Sequence, residues 1–531
     1  MDLLQLTATT GAALPPVLML LAMGSSRAGA DRPAHGWKVF NALSTFALVA
    51  ALAALALPWW AAGAAAPPDW PRMGPWAQVT ALGAVLAVLV QFLGTVIGAF
   101  SARYLQGEAR QARYSAGLAG VLAAVQVLLL ADHWVPLIAA WALVGVVLER
   151  LLCFYADRPF ALLAAHKKRM ADRLADAMMV GAAALAWSEV GTGSLSDLAT
   201  HLSTAAPSAA LQASALLLVV AVILRTALLP VHGWLIQVME APTPVSALLH
   251  AGVVNLGGYV LIRLAPLLEH SAAARWLLLG IGLATAVLAG MVMLTRVSIK
   301  VRLAWSTVAQ MGFMVLECAL GLYTLAALHL VGHSLYKAHA FLAASDVVRE
   351  VRIRALRGAF APMPASVWCA PLAAWLVVGA VQAASGGAPW PWWWSMVMGL
   401  AWAPVLWLPT ARPGGWRDAA TQAFVGLLLA AALTALAHLA HALPLGLADA
   451  PATALGVVAA IGMALLYLGQ AMVQLQPQAL SAWRRWSYAG FYLDEFFTRL
   501  ALRAWPARWT PQASAAPRSR LSDALAWKTA R

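Results

Sequence analysis

An apolar run from Tyr323 to Val348 carries His329, His333, Lys337 and His339. On an α-helix of 3.6 residues per turn the first three, spaced four apart, lie along one face and rise about 6 Å per step. Imidazoles and a buried amine in such a row can load and release protons, because burial disfavours the charged amine. The row therefore has the makings of a proton or cation path, with Lys337 as its strongest member. Alternatively, Lys337 snorkels to the interface beside satisfied core histidines. Zinc ligation by His329, His333 and His339 would need the three imidazoles together. His339 lies six residues from His333, a rotation of about 240°, and points elsewhere.

A second group of ionisable residues lies in LRTALLPVHGWLIQVMEAPTPVSALLHAG. Arg225 stands near the end of an apolar run that Pro230 interrupts, since proline lacks an N–H and clashes with the preceding turn. A short amphipathic piece bearing Glu240 follows. The next helix starts with Pro242 and Pro244 near its first turn and His250 about two turns in. Broken helices at membrane depth line hydrated or protein-packed cavities and mark ion pathways in transporters. For Arg225 the alternative is again an interfacial snorkel.

Membrane-spanning helices must hold these groups. Of 531 residues, 62% are hydrophobic and 11% charged, with a mean hydropathy of +0.76, against roughly 45–50% and 25% in soluble domains. Many of the 25 tryptophans, such as Trp59, Trp60, Trp76 and Trp276, sit at the ends of apolar runs, as in an interfacial belt. Cys153, Cys318 and Cys369 stand far apart with no CxxC spacing, which removes disulfide and thiolate-metal chemistry. About fifteen runs are long enough to span. They centre near Leu18, Leu48, Leu89, Val125, Val144, Ala183, Val219, Val254, Leu283, Val315, Gly332, Leu376, Leu400, Leu429 and Ile461. The first run lacks a basic n-region and a second follows at once, so no cleaved signal is expected.

Basic loops fall on alternate sides. They follow the first run (Arg27, Arg32, Lys38), the third (Arg103, Arg110, Arg113), the fifth (Lys167, Lys168, Arg169, Arg173) and the ninth (Arg296, Lys300, Arg302). The pattern continues after the eleventh (Arg349, Arg352, Arg354, Arg357), the thirteenth (Arg412, Arg417) and the fifteenth (Arg484, Arg485). Short cytoplasmic loops carry such an excess, which puts the N-terminus outside and the C-terminus in the cytoplasm. The net charge of +14 is thus scattered to match a topology, not gathered into a nucleic-acid stripe. The expected protein is all-α and polytopic.

Beyond the last run, RRWSYAGFYLDEFFTRLALRAW alternates at helical spacing, with Phe491, Leu493, Phe496, Phe497 and Leu500 against Asp494 and Glu495. It is expected to be a cytoplasmic amphipathic helix that docks a partner through Phe491, Leu493, Asp494, Glu495 and Phe496, or else anchors on lipid. After Trp505 the composition turns to Pro, Ala, Ser and Arg, and disorder is expected. The chain divides into early helices (1–115), two central units (116–270 and 271–410), late helices (411–480) and this tail (481–531).

TALLPVHGWLIQVMEAPTPVSALLHAGVV, SIKVRLAWSTVAQMGFM and LHLVGHSLYKAHAFLAASDVV, in this order over roughly residues 130 to 350, resemble the proton-translocating antiporter-like subunits of respiratory complex I and Mrp antiporters. Within that superfamily, HLVGHSLYKAHAFL and FYADRPFALLAAHKKR are most similar to the DabB family, the membrane subunits of DAB inorganic-carbon accumulation complexes. The resemblance implies two inverted five-helix repeats with broken helices. It puts the family's path lysine of helix seven on Arg225, its histidine of helix eight on His250, and its histidine row and terminal lysine on His329, His333 and Lys337. The helix-five glutamate of the family falls on Ala142, a departure. Glu149, two turns on, is the candidate substitute, with an ion pair to Arg150 as the plain alternative. In the second repeat Pro371 stands alone, without lysine or acid, and the long lateral helix of the complex I subunit is absent, which disfavours a respiratory complex.

The function so implied is cation, chiefly proton, translocation in a bacterial inner membrane. It would energise CO2 hydration by a DabA-like soluble partner, carbonic-anhydrase-like and zinc-bearing, on the cytoplasmic face. No cofactor or chemistry is expected in this chain. The alternative is a complex I-related or Mrp-type Na+/H+ antiporter subunit.

Overall fold

The apolar runs fold as helices in the computed structural model, which describes residues 3–29, 32–62, 68, 70–155, 157–204, 206, 208–344, 361–386, 389–410, 415–476, 478 and 481–506. In chain order the helices are α1 (Leu3–Ala28), α2 (Pro33–Ala62), α3 (Ala81–Tyr104), α4 (Gln111–Leu130), α5 (Trp134–Leu152), α6 (Pro159–Val190), α7 (Leu195–Thr204) and α8 (Ala209–Arg225). Short pieces follow: α9 (Gly233–Gln237), α10 (Thr243–Ala251), α11 (Leu256–Arg263) and α12 (Ala265–Glu269). Then come α13 (Ala272–Leu294), α14 (Ile299–Leu320), α15 (Tyr323–Leu342), α16 (Pro364–Ser385), α17 (Trp392–Trp402), α18 (Gly415–His441), α19 (Thr453–Leu475), α20 (Ser481–Tyr488) and α21 (Leu493–Ala504).

Among the described residues eleven helical stretches are long and apolar enough to cross a membrane, counting Thr243–Arg263 as one. The other four expected centres also fall on helices, each with a reason to miss that mark. Charges fill the first half of α6, α8 has 17 residues, α15 carries the polar row, and α17 has 11 residues. Side-chain caps set several starts: the hydroxyls of Thr80, Ser208 and Ser271 accept from the N–H groups of Gly83, Leu211 and Ala274. In a membrane, close helix approach depends on small residues. At the α13–α14 crossing a Cβ on Gly312 would lie 2.6 Å from the Ala286 nitrogen and 2.8 Å from the Gly282 oxygen, so only glycine fits.

The break around the seventh run begins earlier than proline alone suggests. α8 stops at Arg225, and irregular backbone through Pro230 leads to α9 and then α10, with Pro244 in its first turn and His250 seven residues in. Two expectations are corrected. α16 runs unbroken through Pro371, so no counterpart of this break lies there. Lys167, Lys168, Arg169 and Arg173 are not a loop but the first half of α6, and Lys168 is 1% exposed. The basic cluster Arg349–Arg357, Arg412 and the tail beyond residue 506 lie outside the described residues.

Candidate functional site

α15 presents its polar row to α10 and α14. Lys337 is fully buried, and its Nζ donates to the Leu303 carbonyl (3.1 Å) and to Ser306 Oγ (2.7 Å) of α14. No carboxylate pairs with it among the described residues. One turn earlier His333 is buried and neither ring nitrogen has a partner among the described residues; its ring stands edge-on to that of His329, 6.1 Å between centroids. His329 Nδ1 is 2.8 Å from Oε2 of Glu317, an α14 carboxylate that is 4% exposed. From α10, His250 stacks on Phe341 at 4.6 Å, again with both nitrogens unpartnered among the described residues. Buried polar atoms are nearly always satisfied by protein or by ordered water, so these imidazoles have room in their hydrogen bonding for water. His339 is exposed, as its rotation requires.

Arg225 lies at the centre of a second buried set. It does not snorkel: it is 6% exposed, with Nη1 2.8 Å from Asp176 Oδ1 and Nε 3.4 Å from Asp172 Oδ1, both on α6. Its Nη2 donates to the Trp141 carbonyl of α5, and the guanidinium lies 4.8 Å over the Trp141 ring. Lys168 pairs with the other oxygen of Asp172. So the carboxylates facing Arg225 come from α6, not from α5 where the glutamate is missing.

Two candidate acids have partners that the sequence did not indicate. Glu149 pairs with neither Arg225 nor Arg150; consecutive helical residues point about 100° apart, and α6 supplies Arg169 instead. Glu240 sits on the surface, 3.6 Å from Arg158 with both side chains nearly half exposed. In the tail, Asp494 turns inward. Its Oδ1 accepts from Lys167 Nζ (2.6 Å) and its Oδ2 from Gln237 Nε2 (3.1 Å), fastening α21 to α6 and α9. Gly233 makes the room, since a Cβ there would overlap Asp494 Oδ1 at 1.4 Å. Phe491 packs half-buried against Trp483, while Tyr492, Glu495, Phe496 and Leu500 face outward and Leu493 is half-buried.

Reasoning from the sequence missed Glu317, Lys168, Asp172 and Asp176. Each had a signal: a lone acid within the apolar FMVLECALGL, and the four-residue spacing Lys168–Asp172–Asp176. Among the described residues no three His, Cys, Asp or Glu side chains are grouped to hold a metal ion.

A broken helix beside a buried histidine–lysine row, on an all-helical membrane scaffold, defines an antiporter-like membrane subunit. Residues 131–385 match the family model described as NADH:quinone oxidoreductase/Mrp antiporter, transmembrane. Over 447 residues, 82% of this chain and 84% of its relative, the sequence is 41% identical to the probable inorganic carbon transporter subunit DabB of Hydrogenovibrio crunogenus. It is 46% identical to DabB2 of Halothiobacillus neapolitanus over 276 residues, 52% of this chain and 50% of that one. The fold is shared with a chain in the Mrp complex of Dietzia sp. DQ12-45-1b (TM-score 0.56, 22% identity), which covers 99% of this chain and 62% of the Mrp chain. The chain belongs to the DabB family of inorganic carbon transporter subunits, within the complex I and Mrp antiporter-like superfamily.

Proposed function

We propose that this chain is the cation-translocating membrane subunit of an inorganic-carbon accumulation complex in a bacterial inner membrane. Protons descend their gradient through Glu317, His329, His333, His250 and Lys337 in one half and the Arg225 set in the other. About fifteen spans in two inverted five-helix repeats, with the N-terminus outside and the C-terminus in the cytoplasm, complete the proposal. CO2 hydration to bicarbonate takes place on a soluble, zinc-bearing, carbonic-anhydrase-like partner at the cytoplasmic face. That partner meets the outward face of α21, through Glu495 and Phe496, and proton flow makes its reaction one-way.

Lys337 carries this proposal. A buried ammonium that, among the described residues, is hydrogen-bonded to a carbonyl and a hydroxyl is costly without a counter-ion, which suits passage of a charge better than its storage. Histidines at the next two steps, each ring able to donate from one nitrogen and accept at the other, extend the row toward Glu317. The test is carbon accumulation by cells in which the sodium and proton gradients are removed separately. Collapse with a protonophore and survival without Na+ is expected; the reverse result would contradict proton coupling.

The family match to Mrp antiporters supports a second possibility, a Na+/H+ antiporter-type subunit. Sodium dependence would then direct attention to the buried oxygens of Ser246 and Thr307, since hard cations prefer oxygen ligands.

A further inference from the structure

The four-residue spacing of the α15 row recurs on α6. Lys168, Asp172 and Asp176 share one face and cover about 12 Å of helix. α8 lays Arg225 against that face, bonded to Asp176 and within 3.4 Å of Asp172, while Lys168 holds Asp172 from the other side. Two buried cations and two carboxylates thus meet, with Asp172 shared between amine and guanidinium, while the exposed Arg173 reaches Asp176 Oδ2 at 3.4 Å. Gly145 of α5 makes the space: a Cβ there would come 2.7 Å from Asp172 Oδ2 and 2.9 Å from Arg225 Nη2.

The two cations are not equivalent. An arginine keeps its proton at any accessible pH, so Arg225, fastened by Asp176 and by the carbonyl and ring of Trp141, is a fixed charge. A buried lysine can exchange its proton, and among the described residues Lys168 has one carboxylate partner and the Trp234 ring 5.5 Å away. Other charges near it are engaged: Glu149 of α5 by Arg169, and Asp494 of α21 by Lys167; His232, just before α9, lies against Trp305.

We infer that Lys168 is the proton-exchanging residue of the first half of the chain, working against Asp172 beside the fixed charge of Arg225. This rests on the proposed translocation of protons. In the exchange one N–H bond of Lys168 breaks and one O–H bond forms on Asp172, turning an ion pair into a neutral pair with no change in total charge. Water accepts the proton from Asp172 and supplies the next to Lys168, or the reverse for flow the other way. Asp176 keeps Arg225 neutralised throughout.

The test uses the full-length protein, with any subunit that co-purifies, in vesicles containing a pH-sensitive dye under an imposed potential. Lys168→Arg keeps the cation and its pair with Asp172 but cannot release a proton, and proton flux should fall by at least about tenfold. Lys168→His restores an exchangeable proton, and flux should return with its pH profile displaced to more acid values. Gel filtration in detergent verifies that each variant is folded, and Lys168→His decides alone if Lys168→Arg is not recovered. Flux through Lys168→Arg within about twofold of wild type, or an undisplaced profile for Lys168→His, would overturn the inference. Wild-type vesicles that move no protons would instead overturn the translocation proposal beneath it.

Discussion

Replacing Asp494 by alanine should free α21 from the bundle while leaving the membrane helices folded. The Lys167–Asp494 contact is 2.6 Å long; the lysine side chain is 7% exposed and the carboxylate 27%. Removing one partner of a fully buried pair costs about 3–5 kcal/mol, because the other charge is left unpaired. Partial exposure of the carboxylate lets solvent screen the loss, and we take about 2–3 kcal/mol. That is roughly a 30- to 150-fold rise in the population of the undocked tail. Trypsin has exposed targets on this segment at Arg484, Arg485, Arg499 and Arg503. When local opening is fast, cleavage tracks the open population, so cutting at these sites should accelerate by a similar factor. Fragment masses over time measure it. An acceleration of less than about threefold would refute the reasoning and leave the tail held by its other contacts, Arg296 over Tyr488, Lys167 on Thr498 and His166 on the Trp505 carbonyl.

Glu317→Gln keeps the contact with His329 but removes its charge, and proton flux in vesicles should fall by about tenfold or more with no loss of folded protein. Gly312→Ala forces a Cβ against backbone atoms of α13 that cannot rotate away, and should cost about 1–3 kcal/mol, read as a lower thermal unfolding midpoint in detergent. Glu240→Gln touches only an exposed pair with Arg158 and should leave flux within about twofold of wild type.

The α15 row was legible because a period of four on an apolar run leaves one geometry open, and Lys337, His333 and His329 took it. His250 followed from the position of the prolines. The α6 set was not legible for a specific reason: a run of Lys and Arg reads as cytoplasmic loop charge, whereas here it lies within a helix that buries Lys168. Its pairing with Asp172 is local, but the partner that gives it meaning, Arg225, lies 53 residues beyond Asp172 and meets it only through the packing of α6 on α8. Glu149 pairs with Arg169 of α6, a partner that the spacing along its own helix could not reveal. Asp494 shows the opposite limit, since an amphipathic pattern says which face is polar but not whether that face meets a partner or the same chain.

Growth of cells carrying Lys337→Ala at air levels of CO2, with bicarbonate uptake measured alongside, tests the central claim most directly. Alanine removes a costly buried charge and no packing group, so the protein should still insert and hold its partner while carbon accumulation is abolished. Lys337→Arg should fail as well, since arginine can hold a charge but not release a proton. Growth in air with wild-type bicarbonate uptake would contradict the account and leave the row a structural motif.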